Sequence, residues 1–475
     1  MSRSQTPPTA LSDIPARTGV APGALPLVGH AWHLRTRPLE FLASLPEHGD
    51  LVEIRLGPSR AYVVCEPELL RHVLADSRTF DKGGPFFDKA RALFGDSLAM
   101  ARWAEHRWQR RQMQPAFHAA RLAEYAGVMG EETARMTAAW RPGHAVGIVD
   151  ELNALALRIV TRCVLSAAAE DRAVAEFQRS LPVAVEGIYR RTLTPVPLLH
   201  ALPTPGNLAY RRAVSRIREV TEAAVAGRRA YEGATGAVGA TGAEDGSLLP
   251  LLLAARRGGD DGEPLSDAEI RDQLIVTVGA GSDTTANALA FAYWLLSRHP
   301  EAERRLHAEL DEVLAGRPAH FDDLDSLPHT RNVITEVLRL YPPGWFFTRA
   351  TTADTELAGR RLRSGTTVLY SPYVLHRNPG LFPEPERFDP DRWAPDRERE
   401  APRGALVPFG GGSRKCVGEH FALTEMVLAL AGVSARWRLR PTSGTSLTPR
   451  PLGTLGPGPL RMIPEPREGA PRTAP

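Results

Sequence analysis

The sequence predicts a mainly α fold with a minor β region, held in one large domain. Patterns of helical spacing run almost without a break from Glu105 to Tyr231 and again from Ser266 to Leu340. Only short strand-like runs lie outside them, and 475 residues contain neither a long central linker nor an internal repeat. The domain is expected over residues 25–463, between flexible tails at 1–24 and 464–475.

Taken in order, Leu51–Leu56 and Ala61–Val64 flank Gly57-Pro58-Ser59 and read as a strand hairpin. Pro67 opens a short helix through Asp76. From Asp81 to Ala104 glycine, proline and aromatics mix without a period, which predicts a long functional loop. The helical stretch that follows is interrupted near Pro195–Gly206, and Gly233–Gly246 reads as mobile. Ser266-Asp-Ala-Glu269 is a capping box that opens a helix reaching about Ser297. After Leu340 come strand-like residues around Thr367–Tyr370, a Pro-rich stretch from Asn378 to Arg403, a glycine loop, one more helix and final strands.

The balance of 58 basic against 55 acidic residues leaves a net charge of +3, too small to suggest nucleic acid as a partner. Nearly all the basic residues are arginine; Lys82, Lys89 and Lys415 are the only lysines. Cys65, Cys163 and Cys416 lie too far apart for a disulfide framework or a structural zinc site, which suits a reducing cytoplasm. Met1–Ala24 has no apolar segment of the kind a signal peptide or membrane anchor needs, so a soluble protein is expected.

The chemistry concentrates in Phe409-Gly-Gly-Gly-Ser-Arg-Lys-Cys416-Val-Gly418. An isolated cysteine is by default a small buried hydrophobe. Here three glycines able to take positive φ, two basic neighbours and a following helix N-terminus favour an anionic sulfur ligand. A second signal interrupts the long helix: Gly279-Ala280-Gly281-Ser-Asp283-Thr284-Thr285. Each interior glycine costs about 1 kcal/mol against alanine. Close packing against another helix explains the glycines; so does a flat ligand approaching the backbone, with Thr284 bonding into the i−4 ladder and the acid–alcohol pair Asp283–Thr284 relaying protons. His106 and Arg110 share a helix face and can clamp a dianionic cofactor, with Arg349 and Arg414 adding two more cations. Glu336 and Arg339 form an i, i+3 pair that Arg387 is expected to convert into a buried three-charge brace.

Phe409-x-x-Gly412-x-Arg414-x-Cys416-x-Gly418, Ala280-Gly-Ser-Asp-Thr-Thr285, Glu336-x-x-Arg339 and His106-x-x-x-Arg110, in this order, resemble the cytochrome P-450 family from about Pro22 to Ile463. Phe80-Asp-Lys-Gly-Gly-Pro85, Gln114-Pro-Ala-Phe117, Tyr189-Arg-Arg191 and Leu202-Pro-Thr-Pro-Gly-Asn207 are similar to segments of its actinobacterial sesquiterpene oxygenases. The resemblance implies the triangular haem-thiolate fold, haem b as cofactor and Cys416 as the iron ligand. It places Phe409, Gly418 and Ala280 at the haem, His106, Arg110, Arg349 and Arg414 at its propionates, and Asp283 and Thr284 at oxygen activation. It also implies insertion of one oxygen atom of O2 into a C–H bond of a hydrophobic substrate, such as a cyclic sesquiterpene, in secondary metabolism. Phe86, Phe87, Phe94, Leu98, Val276, Trp345, Phe346 and Phe347 are the expected substrate contacts. The chain holds no dinucleotide-binding or iron–sulfur motif. Electrons are therefore expected from NAD(P)H through a separate ferredoxin and ferredoxin reductase docking near Arg107, Arg111 and Lys415, on a cytoplasmic monomer without a membrane anchor. Hydroxylation of a polyketide, steroid or fatty acid and a non-oxygenating gas sensor or carrier are the competing readings.

Overall fold

The computed structural model describes residues 16–467 apart from 166–169, 193, 195–196, 236–246, 258–261, 396 and 398–403. Most of the mobile stretch expected after Gly233 lies outside the described residues; the part inside, to Thr235, is helical.

Among the described residues there are fifteen α-helices, and the longest, the central helix Asp267–Arg298, packs against Ile148–Val164, Pro205–Thr235, Pro328–Leu340 and Glu419–Ser434. Its capping box forms in full: the Ser266 side chain accepts from the Glu269 N–H, and the Glu269 carboxylate accepts from the Ser266 N–H. Nineteen of its residues are buried, including Ile270, Leu274, Val278, Leu289 and Phe291, so its stability comes from packing on nearly every side. The continuous helical reading from Glu105 resolves into Trp103–Met113, Ala119–Ala138, Ile148–Val164, Glu170–Thr192 and Pro205–Thr235.

A six-stranded sheet flanks the helices, in the order Thr18–Val20, Leu51–Leu56, Ser59–Val64, Thr367–Tyr370, Phe347–Thr351, Phe80–Asp81. Its first strand pairs in parallel with Leu51–Leu56 and lies inside the segment expected to be an N-terminal tail. At the other end, Arg461–Pro466 pairs with Trp437–Pro441, so ordered structure outruns the expected boundary at 463. Thr18–Val20 is a three-residue edge strand and Arg461–Pro466 lies between Trp437–Pro441 and Val146–Gly147; each takes its order from strands distant in sequence and carries little pattern of its own.

The expected loop after Asp81 is also corrected. Pro85–Phe94 is a helix with Pro85 in its first turn, and Phe87, Ala90 and Leu93 face inward at three-residue spacing. The remaining loop is clamped to the central helix: Leu98 N–H donates to Gln273 Oε1 (3.0 Å) and Gln273 Nε2 to Gln109 Oε1 (3.2 Å). Gln109 Nε2 in turn donates to the Asp96 carbonyl at 2.9 Å.

Candidate active site

The cysteine loop is fixed by its glycines in two different ways. Gly410 and Gly412 take φ of +70° and +64°, where a side chain is strained, and a Cβ on Gly412 would fall 2.0 Å from the Leu74 carbonyl oxygen. Gly411 departs from expectation: it is extended (φ −160°), and what it lacks is room, since a Cβ would sit 3.0 Å from Leu74 Cδ1. Cys416 N–H donates to the Phe409 carbonyl at 3.0 Å, closing the loop directly before the helix Glu419–Ser434. Cys416 keeps accessible surface although protein surrounds its sulfur. Burial pushes its thiol up, while the Gly418 N–H, Lys82 and Arg110 pull toward thiolate.

On the central helix the two glycines serve different ends. A Cβ on Gly281 would sit 2.8 Å from Val160 Cγ2, which is close packing against Ile148–Val164; Gly279 lies beneath the Phe94 ring, 3.1 Å from the same test. Between them Ala280 is exposed, while Val278 and Ser282 are buried and Gly279, Gly281, Asp283 and Thr284 are half-buried. Thr284 Oγ1 donates to the Ala280 carbonyl at 2.7 Å, the i−4 bond anticipated above. Beside it, burial raises the Asp283 carboxyl to about 6. Behind this stretch lies an acid the motif reading passed over: Glu425 is fully buried, with only the Thr285 hydroxyl beside its carboxyl, and its pKa is raised well above the usual carboxylate range. Burial is the cause, and the Thr285 hydroxyl beside it pulls the other way.

The cations converge. The pairing of Asp81 with Ala350 brings Phe80–Asp81 against the strand carrying Arg349. Arg414 donates to the Ala101 carbonyl (2.6 Å) and to the Asp81 carboxylate, and Arg110 NH1 to the Lys415 carbonyl (2.6 Å). The Nε atoms of Arg349 and Arg414 are buried without a partner. His106 is buried, and its pKa falls to about 3 through burial and then the repulsion of Arg414, Lys82, Arg110 and Arg349. It therefore offers a neutral N–H and not the charged clamp expected. Lys82 was not among the expected site residues, although it is one of only three lysines in the chain.

The aromatic wall is partly as expected. Phe86 meets Phe87 (5.7 Å between centroids) and Phe346 (6.5 Å), while Phe94, Leu98 and Val276 lie along the central helix. Two residues depart. Trp345 is 2% exposed with its indole N–H on the Leu452 carbonyl (3.0 Å), a core anchor. Phe347 opens the strand Phe347–Thr351, stacks on Tyr370 at 5.2 Å across the sheet and packs against a different hydrophobic cluster from Phe346, which precedes the strand.

The brace forms with a different third member. Arg339 meets Glu336 through two bonds of 2.8 Å, both side chains fully buried. The Arg387 side chain is 62% exposed and pairs with Glu384; only its carbonyl accepts from Arg339. Arg392, 3.6 Å from Glu336 and 8% exposed, takes the expected place, with the Trp393 indole N–H adding a 2.9 Å bond. The brace reaches the loop through His376. Its Nε2 accepts from the Val407 N–H (2.9 Å), which leaves Nδ1–H to donate to the Arg339 carbonyl (3.2 Å).

The sequence profile of the cytochrome P-450 family matches residues 20–463. The chain belongs to that family. It is therefore a monooxygenase of the oxidoreductase class. It is 49% identical to cyclooctat-9-en-7-ol 5-monooxygenase of Streptomyces melanosporofaciens, over 98% of each chain. Identity is 48% to cyclooctatin synthase of the same organism (95% of this chain, 96% of the relative) and 43% to pentalenene oxygenase of Streptomyces avermitilis (92% and 94%). The crystal structure of the cytochrome P-450DA heme domain superposes with a TM-score of 0.83 at 25% identity, covering 95% of this chain and 98% of that one.

The residues present fit the haem that a cytochrome P-450 carries. Among the described residues the cluster of Lys82, Arg110, Arg349 and Arg414, its last two members buried, meets one carboxylate, Asp81, and two of its guanidiniums hold buried N–H groups without a partner. Such a surplus calls for a dianion, and an accessible thiol on a rigid loop supplies a metal ligand. No described helix is long and apolar enough to cross a membrane.

Proposed function

We propose that this cytochrome P-450 inserts one oxygen atom into a C–H bond of a cyclic terpenoid in secondary metabolism, drawing electrons from NAD(P)H through a ferredoxin and its reductase. The observation that carries the reading is Ala280, exposed on the central helix next to Gly279 beneath the Phe94 ring, with the linked rings of Phe87, Phe86 and Phe346 adding apolar surface whose one neighbouring cation is Lys82 over Phe87. Such a lining favours a hydrocarbon skeleton or one with few polar groups. The names of the three relatives, all oxygenating or producing terpenoid skeletons, support it further.

In this reading Cys416 holds the haem iron, and thiolate-ligated haem supplies oxygen activation through its push of electron density. The remaining work falls to the chain. His106, Arg110, Arg349 and Arg414 hold the haem carboxylates. Thr284 keeps its hydroxyl proton on the Ala280 carbonyl until a better acceptor arrives, and Asp283 shuttles protons from outside. Phe94 and Phe346 exclude water and orient the substrate. Exposed Arg107 and Arg111 present positive charge to an acidic ferredoxin, whereas Lys415 is engaged with Glu419 at 2.5 Å. The chain is read as one domain and a monomer; Cys65, Cys163 and Cys416, none of them in a disulfide, suit the cytoplasm.

Reconstitution with ferredoxin, reductase and NADPH, offered pentalenene and cyclooctat-9-en-7-ol beside a fatty acid and a steroid, tests the proposal by mass spectrometry. A product one oxygen heavier from a terpenoid is the expected result. Turnover of the fatty acid or steroid alone would overturn the substrate class, and full turnover by Cys416→Ala would overturn the haem-thiolate role.

A further inference from the structure

Lys82 stands out among the cations at the site because of what surrounds its amine. Its Nζ donates to the Ala99 carbonyl at 2.8 Å and lies 5.9 Å from the centroid of Phe87. The neighbouring Asp81 carboxylate attracts it but gives its amine no hydrogen bond. Asp81 Oδ1 is taken by Arg414 and by the Lys82 backbone N–H (2.7 Å), and Asp81 Oδ2 accepts from the Trp103 N–H at 2.8 Å. An ammonium has three donors, and Ala99 occupies one. Two donors on a compact cation are thus left beside Arg349 and Arg414, which repel it.

We propose that Lys82 is an additional haem-carboxylate ligand of this enzyme, a residue whose charge becomes favourable only once the cofactor's anion is in place. The inference rests on the haem-thiolate reading above. In its support, burial and then the repulsion of Arg349 and Arg414 bring the amine down to about 7, so the protein alone holds this cation poorly. A carboxylate removes that penalty and uses the open donors. The contact with Phe87 ties the same side chain to the helix Pro85–Phe94, so haem anchoring and the aromatic wall meet at one residue. Lys82 acts as a positioning residue here, since it touches the cofactor's periphery and none of the reacting atoms.

The test uses Lys82→Met, which keeps the apolar stem, and Lys82→Arg, which keeps the charge. For each, two quantities are measured: the rate of haem transfer from the loaded enzyme to a scavenging apoglobin, and the melting temperature with and without haem. The Met variant should lose haem at least several-fold faster than the parent, while its haem-free form melts at the same or a higher temperature because a repelled cation has gone. The Arg variant should restore slow transfer. Unchanged haem transfer in Lys82→Met overturns the proposal. So does a fall in the haem-free melting temperature as large as the fall in the loaded one, which is the mark of a purely structural lysine. All variants should still give the red-shifted carbon monoxide band of a thiolate-ligated haem. Loss of that band in the unmodified enzyme would strike the haem-thiolate reading itself, a failure distinct from that of Lys82.

Discussion

Asp283 shows how one side chain is tuned by its place. Burial raises its carboxyl to about 6, against roughly 3.9 in an unfolded chain. A raised carboxyl contributes stability that is whole below pH ~4 and is lost as pH rises through about 6. Asp283→Asn should therefore be as stable as the parent in acid and more stable above pH 6. The same change should slow coupled turnover by on the order of 100-fold, since a relay group works best with a pKa near the operating pH. The rate of product formation, followed across pH 5–8, checks this: the parent should inflect near 6 and the Asn variant should be slow and flat. An Asn variant with the parent's rate and inflexion would remove Asp283 from the relay.

At the scale of elements, the segment between the helices Pro85–Phe94 and Trp103–Met113 is held by the central helix more than by its own sequence. Gly95 takes φ +54°, and a Cβ there would meet Asp272 Oδ2 at 1.6 Å. Gly95→Ala should cost at least about 1–3 kcal/mol through backbone strain alone, and it would push the loop off Asp272 and Gln273. Hydrogen exchange should then rise at Asp96–Leu98 while the helix Ile148–Val164 keeps its protection; unchanged exchange in the loop would refute the clamp. This segment reads as unstructured because its regularity is tertiary. Its helix is short, its glycines look like breakers, and the groups that order it, Asp272 and Gln273, lie more than 170 residues away in sequence.

Across the whole molecule, the buried cluster on Glu336 connects the helix Pro328–Leu340 to the cysteine loop through Arg339, His376 and Val407. Such a pair sets geometry more than it adds stability, because desolvation offsets most of the attraction. Removing one partner leaves a bare charge and costs about 3–5 kcal/mol. Glu336→Ala should therefore fold poorly and retain little haem, while Arg387→Ala should match the parent in melting temperature and in haem content after purification. Equal loss in both variants would return Arg387 to the brace.

The sequence by itself determined the helical frame, the capped central helix and the residue types at the site, because helical periodicity and the glycine–cysteine loop are local signals. Spacing also picked out Cys416, Thr284 and the Glu336–Arg339 pair. Only the tertiary structure decided which arginine joins that pair, that Lys82 stands among the haem-site cations, that Glu425 is fully buried beside Thr285 and that Phe347 packs apart from Phe346. Each of these depends on which side chains meet across elements distant in the chain, and charge, burial and facing direction at such contacts leave no period to read.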